Sequence, residues 1–388
     1  MATESAVARI EVMKPWLGQE EAHALAEVVF SGCVTQGPKV KEFEVDFAAA
    51  QGARFAVATS SGTTALHLAL VVAGIGPGDD VVVPSLSYIA TANAVTYVGA
   101  RPVFCDVDPA TGNVTAETIH AALTLDTRAV IVVDQGGVPV DLDPIRDLCD
   151  RHELTVIEDA ACAVGSQYKG KPVGAGAHIT VWSFHPNHIL TTGEGGMLTT
   201  RRADWAARAR ALREHSSSLA ALNREELFLS PREVCLEVGF DYRMTDLQAA
   251  VGIIQLRRLP QMVERRRNIA NMYVEALKSL KGLRIVSDPP YGTTNYQSLW
   301  LEVLPGFPMT REALLERLAE AGITARRGAY AAHRQPAYRW RDNGNARLQS
   351  TERLSDRTLV LPVFHEIDSS SINRVINAIR NAAHPVGT

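Results

Sequence analysis

The sequence predicts an α/β protein, with a large domain on a mostly parallel sheet covered on both faces and then a smaller α+β domain. Three observations carry this. Short apolar, β-branched runs alternate with helical patterns through the first part of the chain, the mark of strand–helix–strand units. From Thr245 onward the composition shifts towards helix, with short strands between. No repeat, low-complexity tract or disordered linker breaks the pattern. A chain of 388 residues can bury a core of this size in two domains, which divide into 1–245 and 246–388.

In chain order, Gly18 to Phe30 has apolar residues at helical spacing (Ala22, Leu25, Val28, Val29) and is closed by Ser31-Gly32. The Thr35-Gln36-Gly37 turn leads into a further helix and reads either as part of a site or as an ordinary turn. Phe55 to Thr59 is a strand, Ser60 to Thr64 a small-residue turn, and Ala65 to Val72 a helix. Such a helix start offers free N–H groups and a favourable dipole to an anion, although alone it equally fits a plain N-cap. Strands follow at Val81 to Pro84, Pro102 to Asp106 and Arg128 to Val133, with a helix at Leu142 to Arg151. Leu154 to Glu158 is a strand ending at Asp159, an acid at the end of a parallel strand where such sheets bind ligands. Ile179 to Trp182 runs into a turn carrying Ser183, His185, Asn187 and His188, and Gly193 to Gly196 turns the chain into a strand at Met197 to Thr200. An amphipathic helix (Trp205 to Glu214) and a less regular polar stretch (Ser216 to Glu233) follow. The second domain reads as two long helices, Thr245 to Arg258 and Leu259 to Leu280. Strands come at Leu283 to Val286, Leu299 to Val303 and Ile323 to Arg327, with helices at Thr310 to Ala321 and Ser369 to Ala383.

Composition narrows the function classes. The formal net charge is −4, with 46% hydrophobic and 21% charged residues, and neither a basic block nor an apolar run of spanning length occurs. Nucleic-acid and membrane partners are therefore not expected. Five scattered cysteines (Cys33, Cys105, Cys149, Cys162, Cys235) form no C-x-x-C or C-x-C pair, which argues against zinc or an iron–sulfur cluster and for reduced thiols. The first ten residues lack the apolar core of a signal peptide, so a cytoplasmic enzyme is expected.

The run Ser183-Phe184-His185-Pro186-Asn187-His188-Ile189-Leu190-Thr191-Thr192-Gly193-Glu194-Gly195-Gly196 resembles the active-site segment of the DegT/DnrJ/EryC1/StrS sugar aminotransferases. The resemblance, together with Ser60-Ser61-Gly62-Thr63-Thr64-Ala65-Leu66 and Gly239 to Ala250, covers about residues 16 to 380. It implies the aspartate-aminotransferase fold (pyridoxal-phosphate, PLP, fold type I) and a homodimer with shared active sites. The family pattern is S-F-H-P-x-K, and its lysine position holds His188 here; no Lys lies between Lys171 and Lys278. Imidazole has no primary amine to hold the cofactor covalently, but it can take and give a proton. That points to the amine form, pyridoxamine phosphate (PMP), as in the minority branch of sugar 3-dehydratases.

By the resemblance, Gly62, Thr63 and Ser183 hold the cofactor phosphate, and Tyr88 stacks on the pyridine ring unless it only plugs the core. Asp159 pairs with the ring nitrogen and keeps it protonated. Cys162 stands where aminotransferases commonly carry Gln or His, either as a cofactor contact or as a small buried thiol. Asp241 stands where an Asn reaches a neighbouring subunit's phosphate, and an acid there needs a cation such as Arg243 to offset repulsion. His185 positions the loop. Asp134 replaces a common His, with its role open, and Arg326 to Tyr338 holds substrate contacts or a solvated basic edge. The leading expectation is a PMP-dependent dehydratase or deoxygenase acting on a nucleotide-linked keto-sugar in deoxysugar biosynthesis. His188 is its acid and base, and an amino acid such as glutamate is the amine donor. The alternatives are a sugar aminotransferase whose Lys has been replaced and a non-catalytic cofactor- or sugar-binding homologue. A metal hydrolase on His185 and His188 lacks a carboxylate at useful spacing.

Overall fold

The computed structural model describes residues 9–217, 234–339 and 347–384; most of the polar stretch expected at Ser216 to Glu233 lies outside them. In chain order the first strands are β1 (Phe55–Thr59), β2 (Asp80–Pro84), β3 (Arg101–Cys105), β4 (Thr127–Val133) and β5 (Thr155–Asp159). A small hairpin, β6 (Gln167–Tyr168) and β7 (Lys171–Pro172), precedes β8 (Ile179–Ser183) and β9 (Gly196–Thr200). Seven of these form one sheet in the order β1-β9-β8-β5-β4-β2-β3. Neighbours from β3 through β8 are parallel, and β9 runs against both β8 and β1. Strands buried on both faces need apolar residues at every position, which is why β2 and β4 read as near-continuous valine, alanine and isoleucine.

Helices α1 (Gln19–Ser31), α2 (Pro38–Ala50), α3 (Gly62–Val72), α4 (Ala90–Tyr97), α5 (Ala116–His120), α6 (Leu142–Arg151) and α7 (Ala203–Arg213) cover this sheet. Val57, Val83, Ile131, Ile157 and Val181 face α3, α4 and α7, while Val82, Val130, Val132 and Val156 face α5 and α6. The chain continues through α8 (Asp246–Leu277), β10 (Leu283–Ile285), β11 (Gly292–Thr293), β12 (Leu299–Val303), α9 (Arg311–Glu320), β13 (Arg326–Arg327), α10 (Gln349–Arg357), β14 (Thr358–Leu361) and α11 (Ser369–Ala383). A second, antiparallel sheet has the order β10-β12-β14-β13. One of its faces packs on α8, α9 and α11 through Leu301, Leu359, Tyr273, Leu314 and Ile376. On the other, Trp300 and Val360 join the core below β2 and β4.

Three expectations change. The two long helices are one, because α8 passes straight through Pro260. A proline inside a helix costs about 3 kcal/mol. Here Ala249, Ile253, Leu259 and Met262 are buried in one core and Ile269, Ala270, Tyr273 and Leu277 in another, so packing on both sides of Pro260 holds the helix together. The strand expected at Ile323 to Arg327 shrinks to Arg326–Arg327, since Ile323 bridges to Ile10 instead. Finally, α10 and β14 fill a stretch where the pattern announced nothing; α10 is mostly polar, with only Thr351 and Leu354 buried.

Candidate active site

Parallel strands deliver their C-terminal ends to one edge of the sheet, and the chemistry-bearing residues collect there. After β1 the chain enters α3, whose N-cap Ser61 accepts a hydrogen bond from Thr64 N–H at 3.1 Å; Thr64 Oγ1 accepts from Ser61 N–H at 3.0 Å. This reciprocal cap leaves the first-turn amides of Gly62 and Thr63 without acceptors inside the helix. A Cβ on Gly62 would stand 2.6 Å from Ser183 Cβ, and one on Gly196 would stand 2.3 Å from the Ser61 carbonyl oxygen. Two glycines thus let the α3 start, the end of β8 and the start of β9 converge, with half-buried Ser183 beside the helix amides. The arrangement is an anion cradle.

Asp159 ends β5, 6% exposed. Its Oδ1 accepts from Ala161 N–H at 3.2 Å and its Oδ2 from Thr91 Oγ1 at 3.1 Å, and Thr91 in turn meets Ser87 Oγ at 3.0 Å. Burial outweighs these bonds and pushes its pKa up to about 6. A carboxyl in this state gains most from a cationic or N–H partner brought to it. Two more buried acids lie nearby on β5 and just after β4. Glu158 is pushed up to about 7 by burial, and Asp134 is raised well above the carboxylate range by burial and by Glu158. Asp134 accepts from Val140 N–H at 2.8 Å, and Glu158 from Thr180 Oγ1 at 3.1 Å.

His188 follows β8 in a turn closed by its N–H donating to the His185 carbonyl at 2.8 Å. Its Nδ1 lies 4.0 Å from Cys162 Sγ, so the turn after β5 and the turn after β8 meet at these two side chains. Loss of water around the ring, then the nearby His185 and the Arg326 guanidinium, push His188 down to about 3. In the chain alone the imidazole is therefore neutral throughout the physiological range. Burial pushes the Cys162 thiol up to about 12, with the Asp159 carboxyl adding to the effect, so the pair is thiol and imidazole rather than an ion pair. His185 is partly exposed, 3.9 Å from Glu194, and its Nδ1 accepts from Asn187 N–H at 3.1 Å.

Tyr88 is 70% exposed on the loop after β2 and does not plug the core. Thr35, Gln36 and Asp241 belong to a second cluster. Gln36 donates to Glu214 at 3.0 Å, Arg243 pairs with Asp241 at 2.9 Å and approaches Glu214 at 3.7 Å, and Thr35 accepts from Asp246 N–H at 3.0 Å. Arg243 thus supplies the cation that an acid at 241 requires. Of the Arg326 to Tyr338 stretch, Arg326 is near enough to act on Cys162 and His188. Three others hold the fold: His333 bridges Ser85 (2.6 Å) and Glu352 (3.3 Å), Arg334 pairs with Asp356 (2.8 Å), and Tyr338 donates to Asn93 (2.8 Å). Residues the sequence reading missed are Ser87, Thr91, Asn295 and Gln297. Ser87 and Thr91 carried a weak sign, two hydroxyls spaced four apart at a helix start; Asn295 and Gln297 stood in a polar run just before an apolar strand. Among the described residues, no group of three or more His, Cys, Asp or Glu comes together as a metal site, and no helix is long and apolar enough to cross a membrane.

The model of the DegT/DnrJ/EryC1/StrS aminotransferase family matches residues 15–380. An aminotransferase, TlmJ from Streptoalloteichus hindustanus, is 38% identical over 96% of this chain and 98% of its own, with a TM-score of 0.87. DesV from S. venezuelae is 31% identical over 98% and 100%, with a TM-score of 0.88. DesI, solved in the presence of its TDP-sugar product, is 31% identical over 97% and 93%, with a TM-score of 0.87.

Proposed function

Because the chain belongs to the DegT/DnrJ/EryC1/StrS aminotransferase family, we propose that it is a PMP-using dehydratase that removes the C3 hydroxyl of a nucleotide-linked keto-sugar. The coarser statement needs no proposal: this is an enzyme of the sugar aminotransferase family, and its cofactor is pyridoxal or pyridoxamine phosphate. The observation that carries the finer reading is His188 at the position where the family's covalent lysine stands.

The residues present fit the cofactor. The α3 amides of Gly62 and Thr63 and the Ser183 hydroxyl would take its phosphate, and buried Asp159 would take its ring nitrogen, whose proton relieves the strain on that carboxyl. Exposed Tyr88 would cover a ring face, Cys162 would line the site beside His188, and Asp241 with Arg243 would reach the phosphate of a second subunit. When bound, the cofactor supplies a ring that withdraws electrons from the carbon bearing its amine. In the reading proposed here, Asp159 holds the ring nitrogen's proton in place. His188, neutral at rest, would take a proton from the cofactor carbon that bears the amine and give it to the C3 hydroxyl oxygen, which would leave as water. Negative charge arriving with the cofactor would raise the proton affinity of His188 from its resting value.

DesI's TDP-sugar product supports a nucleotide-linked sugar, and glutamate or a similar amino acid would restore the amine form. The neighbours named above also favour a second reading, a sugar aminotransferase whose lysine has been replaced. Mixing the protein with PMP and a nucleotide-linked 4-keto-6-deoxysugar, then weighing the products, separates the two. Loss of the C3 oxygen supports dehydration, nitrogen kept on the sugar supports amination, and an unchanged sugar defeats the dehydratase and supports binding without turnover. His188→Lys should convert the protein to one that borohydride links covalently to PLP, whereas the wild type should acquire no such label.

A further inference from the structure

Gln297 stands just before β12, 5% exposed, and both ends of its amide serve a loop 108 residues away. Its Oε1 accepts from Ile189 N–H at 2.7 Å, and its Nε2 donates to the Asn187 carbonyl. Those two peptide groups flank His188. One side-chain amide therefore brackets the imidazole's backbone on both sides, as a neighbouring strand would. A lysine joined to a cofactor has its end fixed by the bond; an imidazole without a tether takes its position from its own backbone and packing alone.

The opposite wall hangs from the same segment. Asn295, fully buried, donates through Nδ2 to the carbonyls of Cys162 (2.9 Å) and Val164 (2.8 Å), while its Oδ1 accepts from Gln297 N–H at 2.7 Å. Between them Tyr296 sits at φ 51°, in the left-handed region that non-glycine residues rarely adopt. The bend is held from behind: buried Arg266 on α8 donates to the carbonyls of Tyr296 (3.1 Å) and Gln297 (3.0 Å). It is held in front by Gly137, where any Cβ would fall 1.9 Å from Asn295 Oδ1.

We propose that Gln297 is the positioning residue of His188, and that Asn295 fixes the Cys162 wall against which the imidazole is set. The assignment rests on the reading of His188 as the proton-transferring group. The groups facing that imidazole are the Cys162 thiol, His185 from its own turn and Arg326 from β13, with the Asp159 carboxyl acting on Cys162 behind it. A Gln297 that served only as scaffold would affect stability and leave the titration of His188 where it is.

The test is Gln297→Met, which keeps length and neutrality and deletes both hydrogen bonds, with Gln297→Asn as the milder variant should the first fail to fold. In the full chain without cofactor, ¹⁵N-histidine NMR across pH 4 to 8 should show wild-type His188 neutral over nearly the whole range. In the variant it should titrate about two units higher, towards the value of a hydrated imidazole. Turnover of the keto-sugar with PMP should fall on the order of ten- to a hundredfold in kcat, with KM and PMP affinity within about threefold of wild type. A folded variant whose His188 titrates like wild type overturns the proposal. So does a shifted titration with unchanged kcat, which would strip the contact of any part in the reaction. Should wild type not turn over at all, the dehydratase reading fails while the NMR comparison still decides the positioning role.

Discussion

Asp159 and His188 carry opposite costs of burial, and both can be measured. The folded Asp159 carboxyl binds its proton at about 6 and the unfolded one near 3.8, so the native state is penalised above pH 6 and relieved as pH falls from 6 towards 4. Asp159→Asn should therefore raise the stability of the cofactor-free protein at pH 8 by about 1–3 kcal/mol, judged from urea midpoints, with the gap closing near pH 4. The same variant should lose the reaction. His188 runs the other way: its pKa falls from 6.5 unfolded to about 3 folded, so native stability is lost as pH drops through that window. At this scale the sequence was most legible where the signal is local. Ser183, His185 and His188 lie on one short run, and Gly62 and Thr63 on another. Thr91 reaches Asp159 across 68 residues and Gln297 reaches the His188 loop across 108, and no spacing rule connects such pairs. The resting pKa of His188 was likewise invisible, because it depends on how much water the fold removes.

Among elements, α3, β8 and β9 converge too closely to admit side chains at Gly62 or Gly196. Gly196→Ala would put a methyl 2.3 Å from the Ser61 carbonyl, and backbone on both sides leaves no soft partner to yield. Such overpacking costs about 1–3 kcal/mol or more, and the variant should show a lowered Tm together with weakened binding of inorganic phosphate or PMP. Helix α8 gives a prediction of opposite sign. Pro260→Ala restores a helical N–H and should raise Tm, by the equivalent of about 1 kcal/mol. Strand positions were readable because β1, β2, β5 and β12 are short apolar runs bounded by turn residues. The continuity of α8 was not, since local chemistry at Pro260 argues for a break and only the two cores argue against it.

For the molecule as a whole, the mostly parallel character of the first sheet follows from strand–helix alternation and was legible, whereas the order β3-β2-β4-β5-β8 and the antiparallel pairing of the sheet after α8 were not, since alternation does not say which strands become neighbours. How the second sheet lays Trp300 and Val360 under the first was not legible, because alternation within a strand does not say which face meets which core. In the dimer proposed above, Asp241→Asn should tighten PMP binding by a few-fold, since it removes an acid facing the partner subunit's phosphate. Equilibrium fluorescence titration checks this, and an unchanged affinity would place Asp241 away from that phosphate. A last consequence follows from α8. Near its start Asp246 accepts from the amides of Gly37, Lys39 and Val40, and about 30 Å along the axis Arg266 grips the Tyr296–Gln297 bend. The two grips share one helix, so the 35–40 turn and the Tyr296–Gln297 bend, whose Gln297 amide holds the His188 loop, are anchored to a single rod.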